Sequence, residues 1–182
     1  MVRKTFVLDS NILLQDPDAI LRFKESNVVI PVIVLQELDG MKRLSDELDK
    51  NARYIMRYID SLKSKKEGDL SKGFKIENGI NVRIHFNIRL SESKPFPLLP
   101  DRTIHKILMT AYQLKELGER VVLVSKDFIM RIKAEAIGLE AKDYENFKFS
   151  YGQIYKGYRK LEVSKKRSIY FIMQKKELTL QV

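Results

Sequence analysis

The chain has 182 residues, no cysteine, and 34 Lys/Arg against 24 Asp/Glu, a formal charge of +10. This length allows one or two hydrophobic cores, and the missing cysteines exclude disulfides and thiolate ligands. The only two histidines, His85 and His105, stand apart, so a zinc site, which usually needs several His or Cys ligands, is not expected.

The longest apolar stretch, Val28 to Leu35, is far short of a membrane span, and Met1-Val2-Arg3-Lys4 leads directly into a strand rather than a secretory leader. A soluble, cytoplasmic protein is expected. Thr5-Phe6-Val7-Leu8 reads as a buried strand ending at Asp9, and a helix is expected from about Pro17. Asn27-Val28-Val29-Ile30 reads as a second strand. Pro31 then suits the first position of a helix carrying Ile33, Leu35, Glu37 and Leu38 toward Met41.

Leu48, Ala52, Ile55, Met56, Ile59 and Leu62 keep a helical period, with Lys50, Arg53 and Arg57 off that stripe. Lys63 to Gly73 is charged and glycine-bounded. Alternation on both sides of Asn78-Gly79 then predicts a β-hairpin, read as an excursion from the main sheet. The loop Ser91 to Pro100 holds three prolines; such a loop either shapes a site or is a rigid connector. Ile104, Ile107, Leu108, Ala111 and Leu114 have helical spacing behind Asp101. Val121 to Val124 reads as a strand, and a helix with Ile129, Ile132 and Lys133 follows Asp127. This alternation predicts an α/β fold with a mainly parallel sheet.

Four acids stand at element ends: Asp9, Glu37, Asp101 and Asp127. Asp9 and Asp127 lie at strand carboxyl ends, the edge of open parallel sheets where crevices form and ligands bind. Each also has a bland reading. Asp101 suits an N-cap, Glu37 suits a solvated helix face, and Asp127 suits a helix start. His105, one turn beyond Asp101, either approaches the acids or reads as a surface or groove-lining imidazole.

The acids recur with their neighbours in one order. The segments are Phe6-Val7-Leu8-Asp9-Ser10-Asn11-Ile12-Leu13-Leu14, Val29-Ile30-Pro31-Val32-Ile33-Val34-Leu35-Gln36-Glu37-Leu38-Asp39, Asn51-Ala52-Arg53, Val124-Ser125-Lys126-Asp127 and Ala141-Lys142-Asp143-Tyr144. Over roughly residues 4 to 160 the chain resembles a PIN domain, and within that family the module at the N-terminus of PhoH-like ATPases. The resemblance implies a PIN-like (Rossmann-like three-layer) fold, a mainly parallel sheet flanked by helices, over 1–145. It also implies a metal-dependent endoribonuclease acting on single-stranded RNA. Asp9, Glu37, Asp101 and Asp127 would be its catalytic and metal-binding acids, for Mg²⁺ or Mn²⁺. Carboxylate oxygens suit such hard cations. Ser10, Asn11 and Ser125 would orient the acids or touch phosphate. Arg53 would contact phosphate or serve structure, although an exposed helix arginine is the ordinary case.

Residues 146–182 differ in character, with nine Lys/Arg against two Glu, whereas 1–145 carry 25 against 22. Seven aromatics, Phe147, Phe149, Tyr151, Tyr155, Tyr158, Tyr170 and Phe171, accompany this charge. Two readings stand side by side. One is an RNA-binding annex with Lys165, Lys166 and Arg167; the other is a small C-terminal β extension whose rings pack as core, with strands at Leu161-Glu162-Val163 and Ile169 to Met173. The region would lead to an ATPase domain in PhoH-like proteins. Gly152 and Gly157 have phosphate-loop spacing, but Tyr158-Arg159 follows where such a loop needs lysine. The alternative function is a catalytically weak RNA-binding or regulatory module for a motor domain, motivated by Arg102 where the family usually has Asn. A toxin-like nuclease is a third reading, and pairing into a homo-oligomer is implied by resemblance only.

Overall fold

Five hydrogen-bonded seams join six described strands into one sheet, in the order Phe74–Lys75, Asn81–His85, Asn27–Pro31, Lys4–Leu8, Arg120–Val124 and Glu140–Lys142. The computed structural model describes residues 3–41, 47–65, 69, 71–86 and 103–148. All belong to the first of the two units into which the chain divides, Met1–Phe149 and Ser150–Val182. The strands are β1 (Lys4–Leu8), β2 (Asn27–Pro31), β3 (Phe74–Lys75), β4 (Asn81–His85), β5 (Arg120–Val124) and β6 (Glu140–Lys142). The helices are α1 (Ser10–Gln15), α2 (Val32–Met41), α3 (Glu47–Lys65), α4 (Thr103–Glu116), α5 (Phe128–Ala136) and α6 (Glu145–Lys148). Every pairing is parallel except β3 with β4. The expected mainly parallel α/β architecture is therefore present.

The central strands β1, β2 and β5 are buried along almost their whole length. Their continuous β-branched runs suit this, since parallel strands are covered on both faces. Successive residues point to opposite faces. Phe6 packs on Phe23 and Phe147, with ring centroids 4.8 and 5.5 Å away. Thr5, on the other face, donates to Glu119 Oε2 at 2.7 Å, and Arg83 from β4 pairs with the same carboxylate. On α3 the apolar stripe Ala52, Ile55, Ile59 and Leu62 is buried, while Lys50, Arg53 and Arg57 are exposed.

Four sequence expectations need correction. No helix begins at Pro17: α1 occupies Ser10–Gln15, and a 3-10 turn follows at Ala19–Arg22. Asp16 precedes a proline, which disfavours helical backbone. It takes φ −137°, ψ 92° and spends its carboxylate on the Asp18 amide and on Arg22. Pro31 closes β2 rather than opening α2, which starts one residue later. The hairpin turns at Glu77–Gly79 with positive φ at Asn78 and Gly79, but it is no excursion: β4 pairs along five residues with β2. His105 is not on the surface: it is 6% exposed, with Lys133 Nζ of α5 lying 3.4 Å from its Nε2. The loop Ser91 to Pro100, Asp101 and residues 149–182 of the basic C-terminal segment lie outside the described residues.

Candidate metal centre

Strands β1 and β5 run side by side, with Leu8 opposite Val124, so Asp9 and Ser125 emerge together at their carboxyl ends. The Asp9 amide donates to the Val124 carbonyl at 3.3 Å, carrying the seam one step past the strands. Asp9 occupies the N-cap position of α1, yet its side chain caps nothing. Three neutral donors hold the carboxylate instead. Ser125 Oγ reaches Oδ2 at 2.8 Å, Asn11 Nδ2 reaches Oδ2 at 3.3 Å, and Ser10 Oγ reaches Oδ1 at 3.3 Å. Asp9 is 3% exposed, and among the described residues no lysine or arginine forms an ion pair with it.

A buried carboxylate without a cation is costly, since neutral hydrogen bonds replace only part of the lost hydration. That imbalance suits a hard divalent cation, which oxygen donors bind. Glu37 adds an observation of the same kind. It lies in the second turn of α2, the helix that leaves β2 at this sheet edge, and its buried Oε2 has no hydrogen-bond partner among the described residues. The donor chemistry present therefore fits a Mg²⁺ or Mn²⁺ ion. Among the described residues no three His, Cys, Asp or Glu side chains form a cage by themselves.

Asp127 is bound to the same corner through Ser125. Its amide donates to Ser125 Oγ at 3.0 Å, so one hydroxyl joins the two acids. Its own Oδ1 caps α5, accepting from the Ile129 and Met130 amides at 2.8 and 3.2 Å. The helix-start reading of Asp127 thus describes one of its oxygens. Arg53 pairs with Asp49 one turn away on α3 at 2.8 Å, the ordinary geometry of a helix-surface arginine. Its neighbour Asn51 ties α3 to α1 by donating to the Leu14 carbonyl at 2.7 Å.

The loop from Ser125 to Asp127 is braced on several sides. The Ser125 amide donates to the Lys142 carbonyl at 3.1 Å, and Arg131 Nη1 donates to the Ser125 carbonyl at 2.8 Å while Nη2 pairs with Asp143 at 3.0 Å. Lys126 reaches Gln15 and Glu145 at 2.6 and 2.7 Å.

Below α1, the Tyr144 hydroxyl donates to Asp16 Oδ2 at 2.6 Å, and Arg22 Nη2 lies 2.7 Å from the same oxygen. Burial, and then the bond to Asp16, push the Tyr144 phenol well above its ordinary range. Burial also works to raise the Asp16 carboxyl, but Tyr144 and the Arg22 guanidinium outweigh it and hold that carboxyl low. Sequence reasoning missed these braces and the strand β6. Asp143-Tyr144 stood in a quoted segment, but Glu-Ala-Lys carries no strand signature, and β6 exists only by pairing with β5.

The mostly parallel α/β fold is that of a PIN domain, and the chain belongs to that family, whose model matches residues 6–145. PIN domains are generally nucleases and typically use divalent metals. Among curated relatives, Protein PhoH2 of Bacillus subtilis (strain 168) is 40% identical over 88% of this chain and 38% of its own length. Protein PhoH2 of Thermobispora bispora is 39% identical over 78% of this chain and 32% of its own length. The chain therefore spans only about a third of the length of these relatives. A solved domain of a functionally unknown protein from Methanocaldococcus jannaschii shares the fold, with a TM-score of 0.51 at 19% identity, covering 88% of this chain and 98% of that one. No described helix is long and apolar enough to cross a membrane.

Proposed function

We propose that the chain is the nuclease module of a PhoH-like protein, a Mg²⁺- or Mn²⁺-dependent endoribonuclease that hydrolyses phosphodiesters in single-stranded RNA. The observation that carries this is the Asp9 carboxylate, buried at the sheet's carboxyl edge, held by neutral donors and joined to Asp127 through Ser125. Asp9 and Asp127, with Asp101 and Glu37, hold the cation. Once bound, the metal supplies phosphate neutralisation and an acidified water. Ser125, Ser10 and Asn11 orient the Asp9 carboxylate by donating to it, so that its oxygens are directed before metal or RNA arrives.

Lys165, Lys166 and Arg167 and the +10 charge draw in the RNA backbone, which makes binding salt-sensitive. An ATPase domain in the same full-length protein, self-association and a cytoplasmic location belong to this reading. Of these, the ATPase domain is supported by the PhoH2 relatives.

The test is cleavage of a labelled unstructured RNA in Mn²⁺, Mg²⁺ or EDTA, comparing the chain with Asp9→Asn purified identically. Metal-dependent products that vanish in the variant are expected. Intact RNA with binding retained would replace the nuclease by the RNA-binding regulatory module.

A further inference from the structure

Phe128 directly follows Asp127 and opens α5, yet its side chain is 62% exposed. Ile129 and Ile132 beside it are 55% and 46% exposed, while Met130 and Ala134 fill the buried face of the same helix. An apolar ledge thus adjoins the acid corner. The ring is also braced: the Arg131 guanidinium lies 5.9 Å from its centroid, and that guanidinium is itself fixed by the Ser125 carbonyl and Asp143. A cation over an aromatic face is attractive, and a ring held by a fixed neighbour loses little freedom when a ligand covers it.

We infer that Phe128 is a stacking platform for an unpaired RNA base next to the acid site. A nucleobase offers a flat apolar face to the ring, and its phosphates suit the net positive charge of the chain. This charge favours a nucleic-acid strand over an apolar protein surface. Leu117 is 73% exposed at the opposite edge of the sheet, past the last turn of α4, and has neither a ring nor a braced cation. The placement beside a scissile phosphate rests on the nuclease reading, whereas the stacking itself does not.

The chain contains no tryptophan, so Phe128→Trp introduces a single tryptophan on the ledge, whose emission is read with selective excitation. The full 182-residue chain is titrated with a short oligoadenylate RNA in EDTA, where cleavage is absent, and Leu117→Trp serves as the remote control. Saturable quenching of Phe128→Trp and none of Leu117→Trp is expected. Phe128→Ala should bind roughly five- to 150-fold more weakly, the range for losing one stacked base.

Equal quenching at both positions, no quenching, or unchanged binding by Phe128→Ala would overturn the inference. So would Phe128→Trp emission that shifts with protein concentration before RNA is added, because the ledge would then be a contact between copies of the chain. Quenching by an RNA that the wild type fails to cleave in Mn²⁺ removes the nuclease reading and leaves stacking in place. Cleavage that depends on Asp9, with Phe128→Trp unquenched, does the reverse.

Discussion

Ser125 Oγ donates to Asp9 Oδ2 at 2.8 Å across the β1–β5 seam, and the same oxygen accepts the Asp127 amide at 3.0 Å. One hydroxyl thereby sets the position of the buried acid against the strand-end loop. Ser125→Ala should lower metal-dependent cleavage by about 10- to 100-fold, the usual cost of losing a group that orients a metal ligand. Ser125→Thr should keep most of the activity if the added methyl is accommodated. Cleavage rates at saturating Mn²⁺, with circular dichroism to confirm folding, decide this; an Ala variant as active as the wild type would mean that Asp9 needs no such support.

Asp127 has a capping role in the structure and a metal-binding role in the proposal, and two substitutions separate them. Asparagine caps a helix about as well as aspartate, whereas alanine costs about 1 kcal/mol. Asp127→Asn should therefore melt near the wild-type temperature yet lose cleavage, while Asp127→Ala should lose cleavage and melt lower. Full activity in Asp127→Asn would leave the residue as a cap alone.

Glu37 Oε2 is buried with no hydrogen-bond partner among the described residues, an arrangement that costs stability unless a cation completes it. Glu37→Gln should unfold at an equal or higher temperature than the wild type in EDTA. The rise in melting temperature on adding Mn²⁺, which reports binding to the folded state, should shrink. Thermal melts with and without metal test both halves, and an undiminished Mn²⁺ increment would exclude Glu37 as a ligand.

The Tyr144 hydroxyl and Arg22 hold the Asp16 carboxyl below its ordinary value. The unfolded chain then binds this proton more readily than the folded one. The stability contributed is present above the unfolded value of about 3.9 and is lost as pH falls through the lower folded value. Tyr144→Phe removes one of the groups responsible. It should cost about 1.5–3 kcal/mol near pH 7, as for a hydrogen bond to a charged group, with the deficit narrowing as pH falls below about 4. Urea unfolding at several pH values checks this, and a deficit independent of pH would assign the loss to packing alone.

Elements whose signal is local are legible in the chain alone. The runs Thr5–Leu8, Asn27–Ile30 and Val121–Val124 are strands because β-branched residues favour extended backbone wherever both faces will be covered. The α3 stripe is legible because one periodicity places its apolar residues on one side. Asp9 at the end of the first strand and Asp127 after the last of these were visible because polarity changes where a buried strand ends.

Tertiary structure decided what depends on neighbours distant in the chain. It placed β4 beside β2, because the sheet offered that edge to a strand with Val82 and Ile84 to bury. It made Glu-Ala-Lys a strand through β5, and it brought Lys133 beside His105. It also joined Asp9 to Asp127 through a serine 116 residues beyond the first acid and left Glu37 with a buried oxygen lacking a described partner. Burial and hydrogen-bond satisfaction arise from packing between elements, and no short window of sequence contains both partners.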